Sequence, residues 1–249
     1  MLKIKNIRVI DPLNNRDEIC DLYIDANGNI QNSGVATEEF DGTGKIAYPG
    51  FVDVHVHFRD PGQTYKEDLE SGSNVAIRGG YSHVVCMANT VPVIDNLELY
   101  TANQKRMNDL PLNVYQAVAI SKGFKGEELT DMEALKNAGA IFFTDDGLPL
   151  KNGNFVYEAM VKAKELNIPL SFHEEDPAYI GKAGVNEGKI SKQLGFIGAS
   201  RLAESEITKR DIELAKQTGA TINIQHISSK EAVELVRQAK KECVWLNIQ

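Results

Sequence analysis

From Pro49 onward the sequence repeats one pattern: a short apolar run, a polar turn, then a longer stretch with apolar residues at helical spacing. The short runs fall at 51–56, 81–87, 113–119, 140–143, 169–172 and 221–225. Runs this short and this apolar suit strands covered on both faces. Strands that alternate with helices are joined by crossovers and form a parallel sheet. The helical stretches carry end signals. Thr130 with Glu133, and Ser228 with Glu231, have capping-box spacing, and apolar residues follow on one face (Ala134, Leu135 and Ala138; Ala232, Val233, Val236 and Ala239). Gly79, Gly80, Gly139 and Gly219 lie where helix C-caps fall. The expected fold is α/β, either a doubly wound sheet or a (β/α)8 barrel. No Gly-x-Gly-x-x-Gly follows any strand, so a dinucleotide-binding sheet has no support.

Residues 1–48 read differently. Two alternating stretches, at 3–10 and 20–25, are separated by Asp11-Pro12-Leu13-Asn14-Asn15, and Ala26-Asn27-Gly28-Asn29 is a hairpin-type turn. This predicts a small antiparallel β unit, too small for an independent core and expected to pair with strands from elsewhere. The expected domains are 1–48 and 49–249.

Composition excludes several classes. Lys and Arg number 27 against 35 Asp and Glu, a formal charge of −8 with no basic cluster, which argues against nucleic acid or an anionic membrane as partner. No apolar run approaches the roughly 20 residues of a membrane span, and the N-terminus lacks a signal-peptide core. Cys20, Cys86 and Cys243 are widely spaced and odd in number, which suits reduced thiols in a cytoplasmic protein.

The chemistry-bearing side chains collect at strand ends. His55 and His57 close the first run two residues apart, so both imidazoles project from one face. Asn89 follows the second run, Asp145 and Asp146 the fourth, His173 the fifth and His226 the sixth. In a parallel barrel these ends share one rim, where active sites form. Four imidazoles and a carboxylate suit zinc or a similar divalent ion, and five ligands suit two metals sharing a carboxylate. Spacing does not say which of Asp145 and Asp146 is shared, and Asp-Asp-Gly is also an ordinary turn. Arg59, two residues after His57, has the planar fork that suits a substrate carboxylate. His83 lies inside a strand and reads as a packing residue. Glu174-Glu175-Asp176 reads as a solvated loop.

The stretch Asp53-Val54-His55-Val56-His57-Phe58-Arg59-Asp60-Pro61-Gly62 resembles the metal-binding signature of the dihydroorotases, within the amidohydrolase superfamily. Met87-Ala88-Asn89-Thr90 resembles the family's Met-Pro-Asn-Thr with Ala88 in place of proline, and Phe143-Thr144-Asp145-Asp146-Gly147 and His226-Ile227-Ser228 also match. The resemblance implies a metal-dependent (β/α)8 TIM-like barrel, of which residues 49–249 hold about six of eight units, and a composite β-sandwich to which residues 1–48 contribute. It implies two Zn2+ per subunit, held by His55, His57, His173 and His226 with Asp146 between them, and a substrate carboxylate bound by Arg59 and Asn89 beside His57. The implied activity is interconversion of N-carbamoyl-L-aspartate and (S)-dihydroorotate in pyrimidine synthesis. Hydantoinases use a carbamylated lysine after the fourth strand; here the first lysine in that place is Lys151, which favours the aspartate-bridged branch.

The family's acid/base aspartate sits in an Asp-x-Ala-Pro-His segment after strand 8 that this sequence lacks, so no catalytic acid/base is assigned. The expectation is a C-terminally truncated chain with impaired activity and an exposed sheet edge. Competing expectations are a hydantoinase- or allantoinase-like enzyme, and a catalytically silent structural subunit. The partners implied are a carboxylate-bearing small molecule, and a homodimer or aspartate carbamoyltransferase.

Overall fold

The computed structural model describes residues 1–242 and 246–248. The chain divides into two compact units, Met1–Phe51 and Val52–Gln249.

In the first unit, β1 (Leu2–Asp11) and β2 (Arg16–Ile24) form an antiparallel hairpin. Its turn is held by Asp11, whose Oδ1 accepts from the backbone N–H groups of Leu13 and Asn14 at 3.1 and 3.3 Å. β3 (Ile30–Gln31) pairs with β2. On the other side of β1, β4 (Glu38–Asp41) and β5 (Ile46–Ala47) both run parallel to it, so the expected antiparallel unit is mixed. The reason is where the chain re-enters: Thr37 N–H donates to Met1 O at 3.0 Å, which starts β4 beside the beginning of β1 and in the same direction. The core of this unit is small, consisting of Ile7, Val9 and Leu22 backed by Ile4, Cys20 and Ala47, and Ile19 and Ile30 remain exposed.

The second unit alternates as its sequence predicts: β6 (Phe51–Val56), α1 (Leu69–Arg78), β7 (Tyr81–Cys86), α2 (Leu97–Met107), β8 (Asn113–Gln116), α3 (Met132–Asn137), α4 (Gly153–Leu166) and β9 (Leu170–Phe172). An excursion of β10 (Val185–Asn186), α5 (Lys189–Gln193) and β11 (Gly198–Ala199) follows, then α6 (Leu202–Thr218), β12 (Ile222–Ile224), α7 (Lys230–Lys241) and β13 (Leu246–Ile248). The strands lie in the order β6–β7–β8 and β9–β12–β13. Phe143 joins the two sets, bridging Val118 on one side and Leu170 on the other, both in the parallel sense.

The expected strand at 140–143 is thus reduced to one pairing residue. Gly139, at φ 110, delivers the chain late, and just beyond Phe143 the side chain of Asp145 turns back to the neighbouring backbone. β13 is a seventh strand position that the sequence reading does not anticipate; it pairs with β12 from Ile222↔Leu246 to Ile224↔Ile248. Cys20 and Cys86 are free thiols, and Cys243 lies outside the described residues.

Neither predicted capping box forms, and both N-caps shift by one residue. Asp131, not Thr130, caps α3 by accepting from Ala134 N–H at 3.1 Å, because Thr130 Oγ1 donates to Ala119 O at 2.8 Å. Ser229 caps α7 through Ala232 N–H at 3.2 Å, while Ser228 N–H and Oγ donate to Glu204. The expectation of strands covered on both faces holds for β9 and β12 but not for β6, where Phe51, Val52 and Val54 are exposed, nor for β8, which alternates exposed and buried. Phe143, Leu170, Ile222 and Ile224 are each fully buried and pack with Val156, Ala159 and Met160 of α4 and Ile212 of α6. Each such aliphatic or aromatic side chain contributes about 1.5–3 kcal/mol.

Asp145 is a structural carboxylate. Its Oδ1 accepts from Ile120 N–H (2.7 Å) and Ser121 N–H (3.0 Å), and Ser121 Oγ donates to its Oδ2. Burial pushes its pKa up from 3.8 to about 6 despite those donors. The folded chain therefore holds a proton that the unfolded chain releases in this window. The stability contributed is full below pH 3.8 and lost as pH rises to about 6. In metal-free protein, the stability difference between the parent chain and Asp145→Asn is expected to fall across that window in chemical denaturation; a difference independent of pH would contradict the assignment. Asp145→Ala strands two buried N–H groups, at about 1–3 kcal/mol each.

Candidate metal centre

His55 in β6 and His57, the first residue beyond it, have ring centroids 5.1 Å apart. His173 directly follows β9, and His226 follows β12 by two residues with its backbone at φ 35. Asp146 comes from the segment after Phe143. All five meet. His55 Nε2 lies 3.3 Å and His173 Nδ1 3.5 Å from Asp146 Oδ1, and His57 Nε2 lies 3.5 Å from Asp146 Oδ2. His226 Nε2 is 2.9 Å from His173 Nδ1. Two candidate metal-binding groups result, His55–His57–Asp146 and Asp146–His173–His226, with ligand atoms within 4.8 Å of one another in each.

Spacing alone leaves Asp145 and Asp146 interchangeable, and the family resemblance points to Asp146; the structure separates the two. Asp145 is engaged by backbone donors, and only Asp146 faces the imidazoles.

The spacing suits a shared cation better than direct ion pairs. Charge-assisted N–H···O contacts are typically about 2.7–2.9 Å, shorter than the 3.3–3.5 Å between the imidazoles and Asp146. Ligand atoms at about 2.0–2.1 Å from one tetrahedral metal sit about 3.3 Å from each other. The protonation tendencies divide: those of His57 and His226 suit metal ligands, and that of His173 does not. Burial disfavours the cationic form of His57 and of His226, and His226 is lowered further by the charges of His173 and His55. Neutral imidazoles are the form that ligates. Burial tends to raise the pKa of Asp146, but hydrogen bonds from His173 and His55 hold it well below the usual carboxylate range. For His173, burial pulls the pKa down, yet Asp146 and Glu175 together raise it.

A second layer orients these groups. Asn89 Oδ1 lies 3.0 Å from His57 Nδ1, and Asn89 Nδ2 donates to Asp146 Oδ2 at 3.0 Å. With Nδ1 of His57 donating, its Nε2 lone pair points to the centre. Glu175 Oε2 lies 3.3 Å from His173 Nε2 in the same relation. Glu175 is solvent-exposed, as the loop reading expects, yet adjoins His173, whereas Glu174 is buried; burial raises the pKa of Glu174 and of Asp211, and the charge of Asp211 raises that of Glu174 further. The i, i+2 relation that identifies His55 and His57 also links His173 to Glu175 and could have flagged it. His83 is outside the site: its ring stacks on Tyr115 at 6.2 Å.

Arg59 stands beside Asn89. Its backbone is left-handed, at φ 56, and its Nη1 donates to Asn89 O at 3.3 Å. The two rim loops touch here. Val91 N–H donates to Pro61 O at 3.1 Å, and a Cβ on Gly62 (φ +91) would lie 1.8 Å from Val91 O, so only glycine fits. Among the described residues, no helix is long and apolar enough to cross a membrane.

The chain is 54% identical over 245 residues to a dihydroorotase of Clostridioides difficile (strain 630) and 47% identical over 246 residues to one of Clostridium acetobutylicum. These alignments cover 96% and 97% of this chain and 58% of each relative, so the chain spans little more than half the length of the curated relatives it matches. Its fold is that of L-hydantoinase from Arthrobacter aurescens (TM-score 0.80, 20% identity, 99% of this chain and 57% of that one) and of D-hydantoinase from Thermus sp. (TM-score 0.75, 24% identity, 100% and 57%). The α/β unit of β6 to β13 is accordingly part of an amidohydrolase TIM-type barrel. The model of the dihydro-orotase-like family matches residues 44–232, and the chain belongs to that family.

Proposed function

We propose that this chain carries the metal centre and carboxylate-binding side of a hydrolase of cyclic amides, of the type that interconverts N-carbamoyl-L-aspartate and (S)-dihydroorotate. The observation that carries the reading is Asp146 lying among His55, His57 and His173, with Arg59 adjoining through Asn89. His55, His57 and Asp146 would hold one zinc, and Asp146, His173 and His226 a second, a donor set that suits zinc over calcium or magnesium. When bound, such metals polarise the ring amide carbonyl and acidify an attacking water toward a pKa of about 7.

The chain's own residues do the rest. Asn89 and Glu175 fix the imidazoles of His57 and His173, so that little reorganisation is needed when the ring arrives. Arg59 and Asn89 would take the ring carboxylate and orient the ring over the centre; a guanidinium does this with two parallel donors. Among the described residues, Asp146 is committed to the metals in this reading, and Glu175 is engaged with His173. Neither is placed to carry the proton to the departing ring nitrogen, so turnover by this chain is expected to be slow while metal and ring binding persist.

A second reading, a hydantoinase-like enzyme for uncharged rings, is favoured by the fold likeness to the hydantoinases. Arg59 decides between them, since an uncharged ring has no use for it. Titration calorimetry of zinc-loaded protein is expected to show dihydroorotate bound in preference to dihydrouracil, the same ring without its carboxylate. Arg59→Met should erase that preference, by about tenfold or more. Equal affinity of the parent chain for both rings would favour the hydantoinase-like reading, and no affinity for either would favour a silent structural subunit.

Metal content supplies an independent check. Protein purified without chelator is expected to hold about two zinc ions per chain by mass spectrometry. Asp146→Asn should deplete both sites, His226→Ala chiefly one, and Asp145→Asn neither. Retention of full metal by Asp146→Asn would sink the shared-carboxylate reading.

A further inference from the structure

Arg59 is held in a backbone conformation that costs a non-glycine residue on the order of 1 kcal/mol or more, and it lies in the loop that follows β6. What keeps it there is found on α2. Arg106 grips Asp60, the next residue in the chain, with a bidentate pair: Nη1 to Oδ1 at 2.6 Å and Nη2 to Oδ2 at 2.7 Å. Asp60 is 4% exposed, so its charge has little access to water and depends on its partners, chiefly Arg106, with Leu69 N–H donating at a longer 3.5 Å. One turn earlier on α2, Asn103 Nδ2 reaches Asp60 O at 3.5 Å and donates to Gln116 Oε1 at 2.8 Å. Gln116 Nε2 in turn donates to the backbone carbonyls of Cys86, Met87 and Ala117, at the ends of β7 and β8. The loop that carries Arg59 is thereby referenced to the same strand ends that present Asn89. Further along the loop, Gln63 N–H closes onto Arg59 O at 2.9 Å.

We infer that Arg106, although it lies outside the metal centre, is a positioning residue for Arg59, acting through the buried carboxylate of Asp60. The inference rests on the carboxylate-binding role proposed for Arg59. The planar fork is the essential feature, because a lysine would restore the charge opposite Asp60 but fix only one of its oxygens. Arg106 should therefore govern how well a charged ring is recognised and leave the metals alone.

The test uses the full zinc-loaded chain with Arg106→Gln and, to keep the charge opposite Asp60 and so preserve folding, Arg106→Lys. Binding of dihydroorotate and of dihydrouracil is measured by calorimetry, and the Arg59 Nε–H resonance is followed by 15N-resolved NMR. Both variants are expected to bind dihydroorotate about tenfold more weakly, to bind dihydrouracil and zinc as the parent does, and to shift the Arg59 resonance. Unchanged dihydroorotate affinity with an unmoved resonance would overturn the inference, and so would an equal loss for both rings, which would mark a merely structural ion pair. If the parent chain itself shows no preference for dihydroorotate, the carboxylate reading fails. The resonance then decides alone: a shift in Arg106→Lys supports the positioning role, and no shift overturns it.

Discussion

One buried carboxylate organises the site. Asp146 is 4% exposed and is approached by imidazoles from β6 and from the segment after β9. A charge so placed is costly unless its environment is arranged to receive it. The segments after β6, β7 and β9 supply that environment: imidazoles, the Asn89 amide and, behind His173, Glu175. The barrel sheet makes this economical. Parallel strands bring their C-terminal ends to one rim, so residues far apart in sequence converge without any long loop having to be ordered for the purpose.

Much of this was legible in the sequence because the governing signals are local. Alternation at His55 and His57, the placement of His173 and His226 after apolar runs, and the order of strands and helices all follow from periodicity. The resemblance in the stretch ending at Gly62 added a family. What escaped is long-range. Nothing in Asp145-Asp146 itself says that Ile120 and Ser121, some 25 positions earlier, present unpaired N–H groups that claim the first aspartate and leave the second to the histidines. The shifted caps have the same origin. Ser228 is drawn off by Glu204 and Thr130 by the Ala119 carbonyl, so the next residue takes over the helix end. The N-terminal unit is mixed and not antiparallel because Thr37 pairs with Met1, a contact with no sequence signature.

Two kinds of buried polar group tie the frame to the rim. Some, such as Asp145 and the Gln116 amide, satisfy backbone groups and hold strand ends in register. Others, such as Asp60 with Arg106, hold an irregular loop in a shape its own residues do not favour. Hydrogen bonds of either kind contribute modestly in themselves but are expensive to leave unmade, which is why these positions couple the frame to the rim.

The contact between Gly62 and the Val91 carbonyl has a consequence for how such a site diversifies. With no room for even a methyl group between them, the loops after β6 and β7 behave as one body, and neither can absorb an inserted residue without parting Arg59 from Asn89. The excursion from β10 to β11 is looser only in part: Gly188 and Gly195 have open space around them, whereas a Cβ on Gly198 would meet the Glu187 backbone at 2.3 Å. That stretch also borders the cleft beside His173 and His226, where Asn186 and Ser200 share a cavity of about 270 Å³ with the two imidazoles. Gly188, extended at φ 178 and with open space beside it, can take a side chain at little structural cost, while Gly198 cannot, so this border of the site is open to change at some positions and fixed at others.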